Sequence, residues 1–388
     1  MIKKFIVIFV GLLIFSCAED TELVPEQTLV FKRDVTFKSG FKSGFLQKPV
    51  NIDGENYFCA QDYVTNKKIK LFSLTSDKIH EINFKPIIIN ENQNVATVEI
   101  INLDTILVLT VYTNLIYMIN SKGEIWKKID LNPYFKKFYS PKYKFETKSY
   151  SEFLTDKGEL IFRLTPYLQQ EGAFDFEKHY LELNSDSLPL FFKVKDIFAD
   201  SLNTRFGCYE FYKSFTKIDE FYGEFALYAF CNKKIIVGSN YSDSLYIVNT
   251  NTLEVEKKVQ LTSKFTKIGT KPPTLKQMKA SSATSHIKTQ RDAAMFTNII
   301  YLDSLNLYFC SLVHQTTADT INYYDKPSSI LVLDSNFTII DEIQLDKSKY
   351  LSYAAFNSGN DIYVINYPQV KNDDDFFKKY SFSIFRYE

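Results

Sequence analysis

Leu245-Tyr246-Ile247-Val248-Asn249-Thr250 decides the fold. An apolar run stops at an asparagine, and a second run from Leu253 to Leu261 follows. Such runs, bounded by turn formers, read as two antiparallel strands. Asn, Asp and Ser suit the turn because their side chains bond the local backbone. The pattern recurs as Lys70-Leu71-Phe72-Ser73-Leu74-Thr75-Ser76, Ile116-Tyr117-Met118-Ile119-Asn120-Ser121, Tyr180-Leu181-Glu182-Leu183-Asn184-Ser185 and Ile330-Leu331-Val332-Leu333-Asp334-Ser335. Closing strands are expected over 79–84, 125–131, 188–194, 253–261 and 338–345.

Upstream of each copy lies another strand pair around a tight turn. The turns are at Asp53-Gly54, Asp104-Thr105, Asp156-Lys157-Gly158, Asn232-Lys233, Asp303-Ser304 and Asn357-Ser358-Gly359-Asn360. Tyr57-Phe58-Cys59-Ala60 and Tyr308-Phe309-Cys310-Ser311 are nearly the same tetrapeptide. Six four-stranded units predict an all-β, six-bladed β-propeller of antiparallel blades, because radial repetition protects sheet edges. No long stretch shows apolar residues at helical spacing. The sixth unit ends at Ser381–Glu388 with only three strands, and Thr28–Lys32 is an apolar strand without a blade. The N-terminal strand is therefore expected to complete the last blade and remove an exposed edge.

The first residues have a different character. Lys3 and Lys4 precede an apolar run, Phe5 to Phe15, which is shorter than the roughly 20 residues a membrane-spanning helix needs. This order reads as an export signal over 1–16. Ile14-Phe15-Ser16-Cys17 resembles the lipobox of bacterial lipoproteins, which implies acylation of Cys17. Residues 17–27 read as a lipidated tether and 28–388 as one propeller domain. The acids Glu19, Asp20 and Glu22 resemble a surface-export signal of Bacteroidetes-type lipoproteins and read equally well as a solvated linker. The expected location is the cell envelope, lipid-anchored in the outer membrane, with the leaflet open.

The chain has 46 basic and 46 acidic residues. Loss of Lys3 and Lys4 leaves 44 against 46, a net charge of −2. That balance argues against nucleic-acid binding, which favours a clustered basic surface. No metalloprotease, serine-hydrolase or phosphate-loop motif is present. His80, His179, His286 and His314 are scattered, and Asp373-Asp374-Asp375 lacks the alternating spacing of calcium loops. No catalytic residue, metal or cofactor is expected. Cys59 and Cys310 fall on non-adjacent blades and should not pair. Cys208 and Cys231 allow a bridge, although buried free thiols are the plainer reading.

Function is expected in the connections between blades, because long loops are usually functional or disordered. Residues 132–150 interleave aromatic residues, Tyr139 among them, with lysines. Residues 196–222 carry Arg205 and Tyr209, and 262–295 carry His286, Arg291 and Asp292. Rings beside cations suit stacking on sugars or peptides, so these six residues are the candidate binding set. Asp-Ser/Thr-apolar triplets at 104, 186, 200, 243, 303 and 319 resemble an O-glycosylation pattern of Bacteroidetes-type exported proteins, while turn chemistry explains several without modification.

The lipobox-like tetrapeptide, the chain length, the Phe/Tyr-rich strands and the propeller-like repeats together resemble uncharacterised Bacteroidetes-type lipoproteins grouped as domain of unknown function 4221. That resemblance rests on organisation and implies neither an activity nor site residues. A looser one, to NHL- and TolB-like propellers, implies partner or ligand binding. The leading expectation is a monomeric, membrane-anchored binding module for an envelope protein, peptide or glycan. The rivals are a polysaccharide hydrolase or lyase, and an envelope scaffold without a small ligand.

Overall fold

A computed structural model describes residues 29–38, 44–62, 68–91, 95–110, 113–136, 143–146, 154–156, 158–168, 189–213, 226–231, 233–239, 242–269, 293–316, 326–346, 349–366 and 379–388. Strand β1 (Leu29–Lys38) is followed by blade one: β2 (Gly44–Ile52), β3 (Glu55–Asp62), β4 (Lys68–Ser73) and β5 (Ile79–Asn83). Blade two is β6 (Val95–Asn102), β7 (Thr105–Thr110), β8 (Leu115–Ile119) and β9 (Ile125–Asp130). A short helix, α1 (Asn132–Phe135), follows it, and β10 (Tyr143–Glu146) stands ahead of blade three. That blade holds β11 (Leu154–Asp156), β12 (Glu159–Arg163), β14 (Phe191–Val194) and β15 (Thr204–Gly207), while β13 (Thr165–Leu168) pairs with β10. After helix α2 (Glu210–Lys213), blade four is β16 (Ala226–Cys231), β17 (Lys234–Ser239), β18 (Ser244–Asn249) and β19 (Val255–Gln260). Blade five is β20 (Met295–Leu302), β21 (Leu307–Val313), β22 (Ser328–Leu333) and β23 (Ile339–Leu345).

Blade six is β24 (Tyr350–Ser358), β25 (Asp361–Asn366) and β26 (Lys379–Tyr387), completed by β1 as its outer strand. Leu29 lies opposite Tyr387 and Lys38 opposite Lys379, so the expected closure by the N-terminal strand is observed. Six buried apolar clusters alternate with the sheets, each built from two successive blades. The cluster between blades six and one closes the circle through Phe58, Phe72, Phe356 and Phe382.

The repeated turns explain the repeat. The side-chain oxygen of Asn120 accepts the amides of Lys122 and Glu124, and that of Asn249 accepts those of Asn251 and Thr252. Asp334 does the same for Asn336 and Thr338, and the Ser73 hydroxyl for Thr75 and Ser76. A left-handed residue then reverses the chain: Gly123, Leu253 and Phe337 have φ of 81°, 58° and 65°. Leu253 and Phe337 are bulky for that conformation, which costs about 1–3 kcal/mol. Their burial offsets the strain, because each side chain is inserted against the preceding blade. Ile197 occupies the equivalent place in blade three.

Blade three departs from the expected strand assignment. Phe191–Val194, anticipated as its closing strand, is the third strand, paired with β12, and Thr204–Gly207 closes the blade. The operative turn residue is Asp196, whose carboxylate accepts the Phe198 amide. The copy at 180–185 lies outside the described residues. The region 196–222 is consequently no single loop, since β15 runs through it.

The outer strands are irregular by a shared device. Trp126, Glu256 and Ile340 are each one extra residue at the same point of blades two, four and five, and Lys32 is the extra residue in blade six. Such bulges twist an outer strand and discourage pairing with another chain.

Alternating strand direction gives the ring two different ends. First-to-second and third-to-fourth strand turns share one, called here the turn end. Second-to-third connections and the passages between blades share the other, the loop end.

Candidate functional site

Second strands finish in polar residues at the loop end. Gln61 and Asp62 end β3, Thr110 ends β7 and Arg163 ends β12, and all are buried. His314 follows β21 and is also buried. Residues two to four positions earlier, such as Cys59, Leu107, Ile161 and Cys310, are apolar core. A buried polar group must find a partner or lose the desolvation energy, so such a ring of polar ends marks a built surface.

Its best-defined part lies at the seam of blades four and five. His314 Nε2 is 2.9 Å from Ser329 Oγ, which donates to Glu342 Oε1 at 2.8 Å. Because the serine proton points to the carboxylate, His314 must donate through Nε2–H. The same carboxylate accepts Ser263 Oγ at 2.6 Å and the Lys264 amide at 2.6 Å. Ser263 Oγ in turn accepts the amides of Phe265 and Thr266, and the Thr266 hydroxyl accepts the Gln315 amide. The chain leaving blade four is thus fastened onto blade five. Nearby, Lys326 donates to the Ala293 carbonyl. Burial pushes the His314 imidazole below its usual range, Glu342 opposes that shift, and Lys326 adds to it.

Phe265 lies stacked on the His314 ring, with centroids 6.1 Å apart and planes 20° from parallel. It is 45% exposed, so part of an aromatic ring on a fixed base is offered to solvent. The network does not suit nucleophilic catalysis. A catalytic serine gives its proton to histidine, whereas Ser329 gives it to Glu342 and is fully buried.

Of the candidate residues read from sequence, Tyr209 is exposed just after β15, next to Cys208, whose amide donates to the Leu253 carbonyl in the turn of blade four, and its phenol is pushed up by partial burial. Arg205 is exposed on β15, and its guanidinium donates to the Asn251 carbonyl in the turn of blade four, a clamp between blades. The structure does not bring these two into the His314 network. Tyr139, His286, Arg291, Asp292 and Cys17 lie outside the described residues, as do His179 and Asp373–Asp375. Ser263, Ser329 and Glu342 carried no local signal, and His314 was one of four scattered histidines.

Among the described residues no group of three His, Cys, Asp or Glu side chains is placed to hold a metal. Cys59, Cys208, Cys231 and Cys310 are all free thiols. Cys208 packs between blades three and four and Cys231 between four and five, so they do not meet. Burial pushes the Cys208 thiol up to about 12. Among the Asp-Ser/Thr triplets, Ser201 and Ser304 are exposed, Thr105 is half-buried, and Ser244 is buried with its hydroxyl on Asp243.

No protein-family profile and no curated protein matches the sequence. A solved structure of a member of the domain-of-unknown-function family 4221, from Bacteroides vulgatus, superposes with a TM-score of 0.67. It is 16% identical, and the match covers 93% of this chain and 98% of that one. A putative exported protein from Bacteroides fragilis gives 0.49 at 11% identity, over 94% and 95% of the two chains. A luciferin-regenerating enzyme gives 0.42 at 11% identity, over 92% and 95%. The first of these shares the six-bladed propeller fold expected from the sequence.

Proposed function

We propose that the protein is an exported, lipid-anchored binding module that holds an envelope protein, peptide or glycan on the loop end of its propeller. The single observation that carries this reading is the exposed Phe265 ring on its buried His314–Ser329–Glu342 base. A rigid aromatic above a satisfied polar network suits stacking against a sugar ring or a planar side chain. The basic region, apolar run and Ile14-Phe15-Ser16-Cys17 support export and acylation.

The test is capture of partners from detergent-solubilised envelope by the acylated protein and by its Phe265→Ala variant, with mass spectrometry of proteins and glycans. A partner retained by the parent and lost by the variant supports the proposal. Identical captured sets sink the assignment of the site. Mass of the purified protein, with or without diacylglycerol on Cys17, decides the anchor.

A further inference from the structure

The turn end of the ring carries exposed apolar side chains that the binding reading leaves unused. Ile79, Trp126 and Ile340 are 57%, 50% and 48% exposed, each at the first or second position of an outer strand leaving a third-to-fourth turn. Phe31, 51% exposed, stands near the start of β1, which also begins at that end because Leu29 pairs with Tyr387. Phe198 and Leu305, 43% and 39% exposed, sit in turns of blades three and five. Single exposed apolar residues need no explanation. Their coincidence with the point where the N-terminal chain leaves the fold does.

We infer that the turn end rests on the lipid surface in which Cys17 is anchored, with zwitterionic headgroups as its partner, and that the loop end faces away from the membrane. The inference rests on the acylation of Cys17 in the proposed function. Between Cys17 and Leu29 run residues 18–28, which extend at most about 40 Å. That tether departs from the turn end, so the turn end is the surface it holds nearest the bilayer. Trp at the headgroup level is favoured by its amphipathic ring. The charge of this end selects the lipid. Asp53, Asp77, Asp104, Asp196, Asp200 and Asp303 are exposed on its turns. Among the described residues of these turns, Lys78 is held by Glu55, and Lys122, Lys195 and Lys233 are the other exposed lysines. An acid-rich rim is repelled by anionic lipid, while apolar side chains insert between neutral headgroups.

Trp126 is the one tryptophan of the chain, which makes it a reporter of this end. The acylated full-length protein is reconstituted into phosphatidylcholine vesicles doped with lipid brominated near the headgroup. The expected result is loss of Trp126 emission and a shift to shorter wavelength, both weakened when phosphatidylglycerol is added. A Phe265→Trp reporter at the loop end, in a Trp126→Phe background, is expected to keep its emission. Cys17→Ser, which cannot be acylated, tests whether quenching needs the anchor. Flotation with vesicles without Trp126 quenching overturns the docking alone, and equal quenching of both reporters overturns the orientation. Failure to float overturns the anchor and the docking with it.

Discussion

The seam between blades six and one and the seam between blades four and five solve the same packing problem with opposite chemistry. At the first, the Phe58 ring touches five others: Phe37, Phe72, Phe356, Tyr380 and Phe382, at centroid distances from 5.1 to 6.1 Å. At the second, Ala229, Ala294 and Cys310 share the cluster with Tyr308 and Phe337, and the polar chain of His314, Ser329 and Glu342 tops it. Phe37 belongs to β1, which is paired along its length with β26 and leads on to β2 of blade one, so it carries the chain up to this seam. The passage from Leu261 to Ala294 ties blade four to blade five covalently, and there hydrogen bonds direct the chain. Aromatic packing fills the first seam and polar bonding shapes the top of the second, while the backbone ladder of β1 on β26, inside blade six, joins the two ends of the chain.

Substitutions separate these roles. Phe58→Ala removes a fully buried ring, and the expected loss is about 3–5 kcal/mol. Denaturant unfolding beside Leu331→Ala checks whether the aromatic seam is the more sensitive. Equal losses would break the contrast. Glu342→Ala strands the two serine hydroxyls and the Lys264 amide, at roughly 1–3 kcal/mol for each group left unsatisfied. Its distinguishing mark is increased proteolysis between Leu261 and Ala294 under conditions where the rest of the ring survives.

A third seam, between blades three and four, offers a steric test. A Cβ on Gly207 would lie 2.3 Å from Leu253 Cβ and 2.5 Å from its carbonyl oxygen. Gly207→Ala is therefore expected to cost about 1–3 kcal/mol by overpacking, measured by thermal unfolding. The smallest effect is that of pH. His314 is held below its usual range in the fold, so the unfolded chain takes up a proton first as pH falls. Its contribution to stability is present above the ordinary imidazole value near 6.5 and is lost as pH falls through the lower folded value. A His314→Gln variant should show a shallower decline between neutral and mildly acidic pH. An unchanged slope would exclude His314 as its source.

The blades were legible because their turns are local chemistry. Asn120, Asn249 and Asp334 announce turns whose bonds reach no further than four residues. Blade three departs from the sequence pattern because the largely apolar stretch 188–194 suits either a third or a fourth strand. The turn signal of Asp196 with the inserted Ile197 lay just beyond them. The loop-end network was illegible for a different reason. Ser263 and Glu342 are 79 positions apart, and no periodicity or spacing relates them. Only the placement of consecutive blades side by side brings them into contact.

Closure by β1 also dictates an order of events. The strand is made early in synthesis, yet its partner β26 is the last to be made. Thr36 and Ser381, whose hydroxyls lie 3.0 Å apart, are separated by 345 residues. Joining ends so distant costs about 3 kcal/mol more closure entropy than a turn of roughly ten residues. A chain emerging from a ribosome or a translocation channel must therefore carry an unpaired first strand until five blades have formed, and a chaperone that shields an extended apolar segment would act on it throughout that interval.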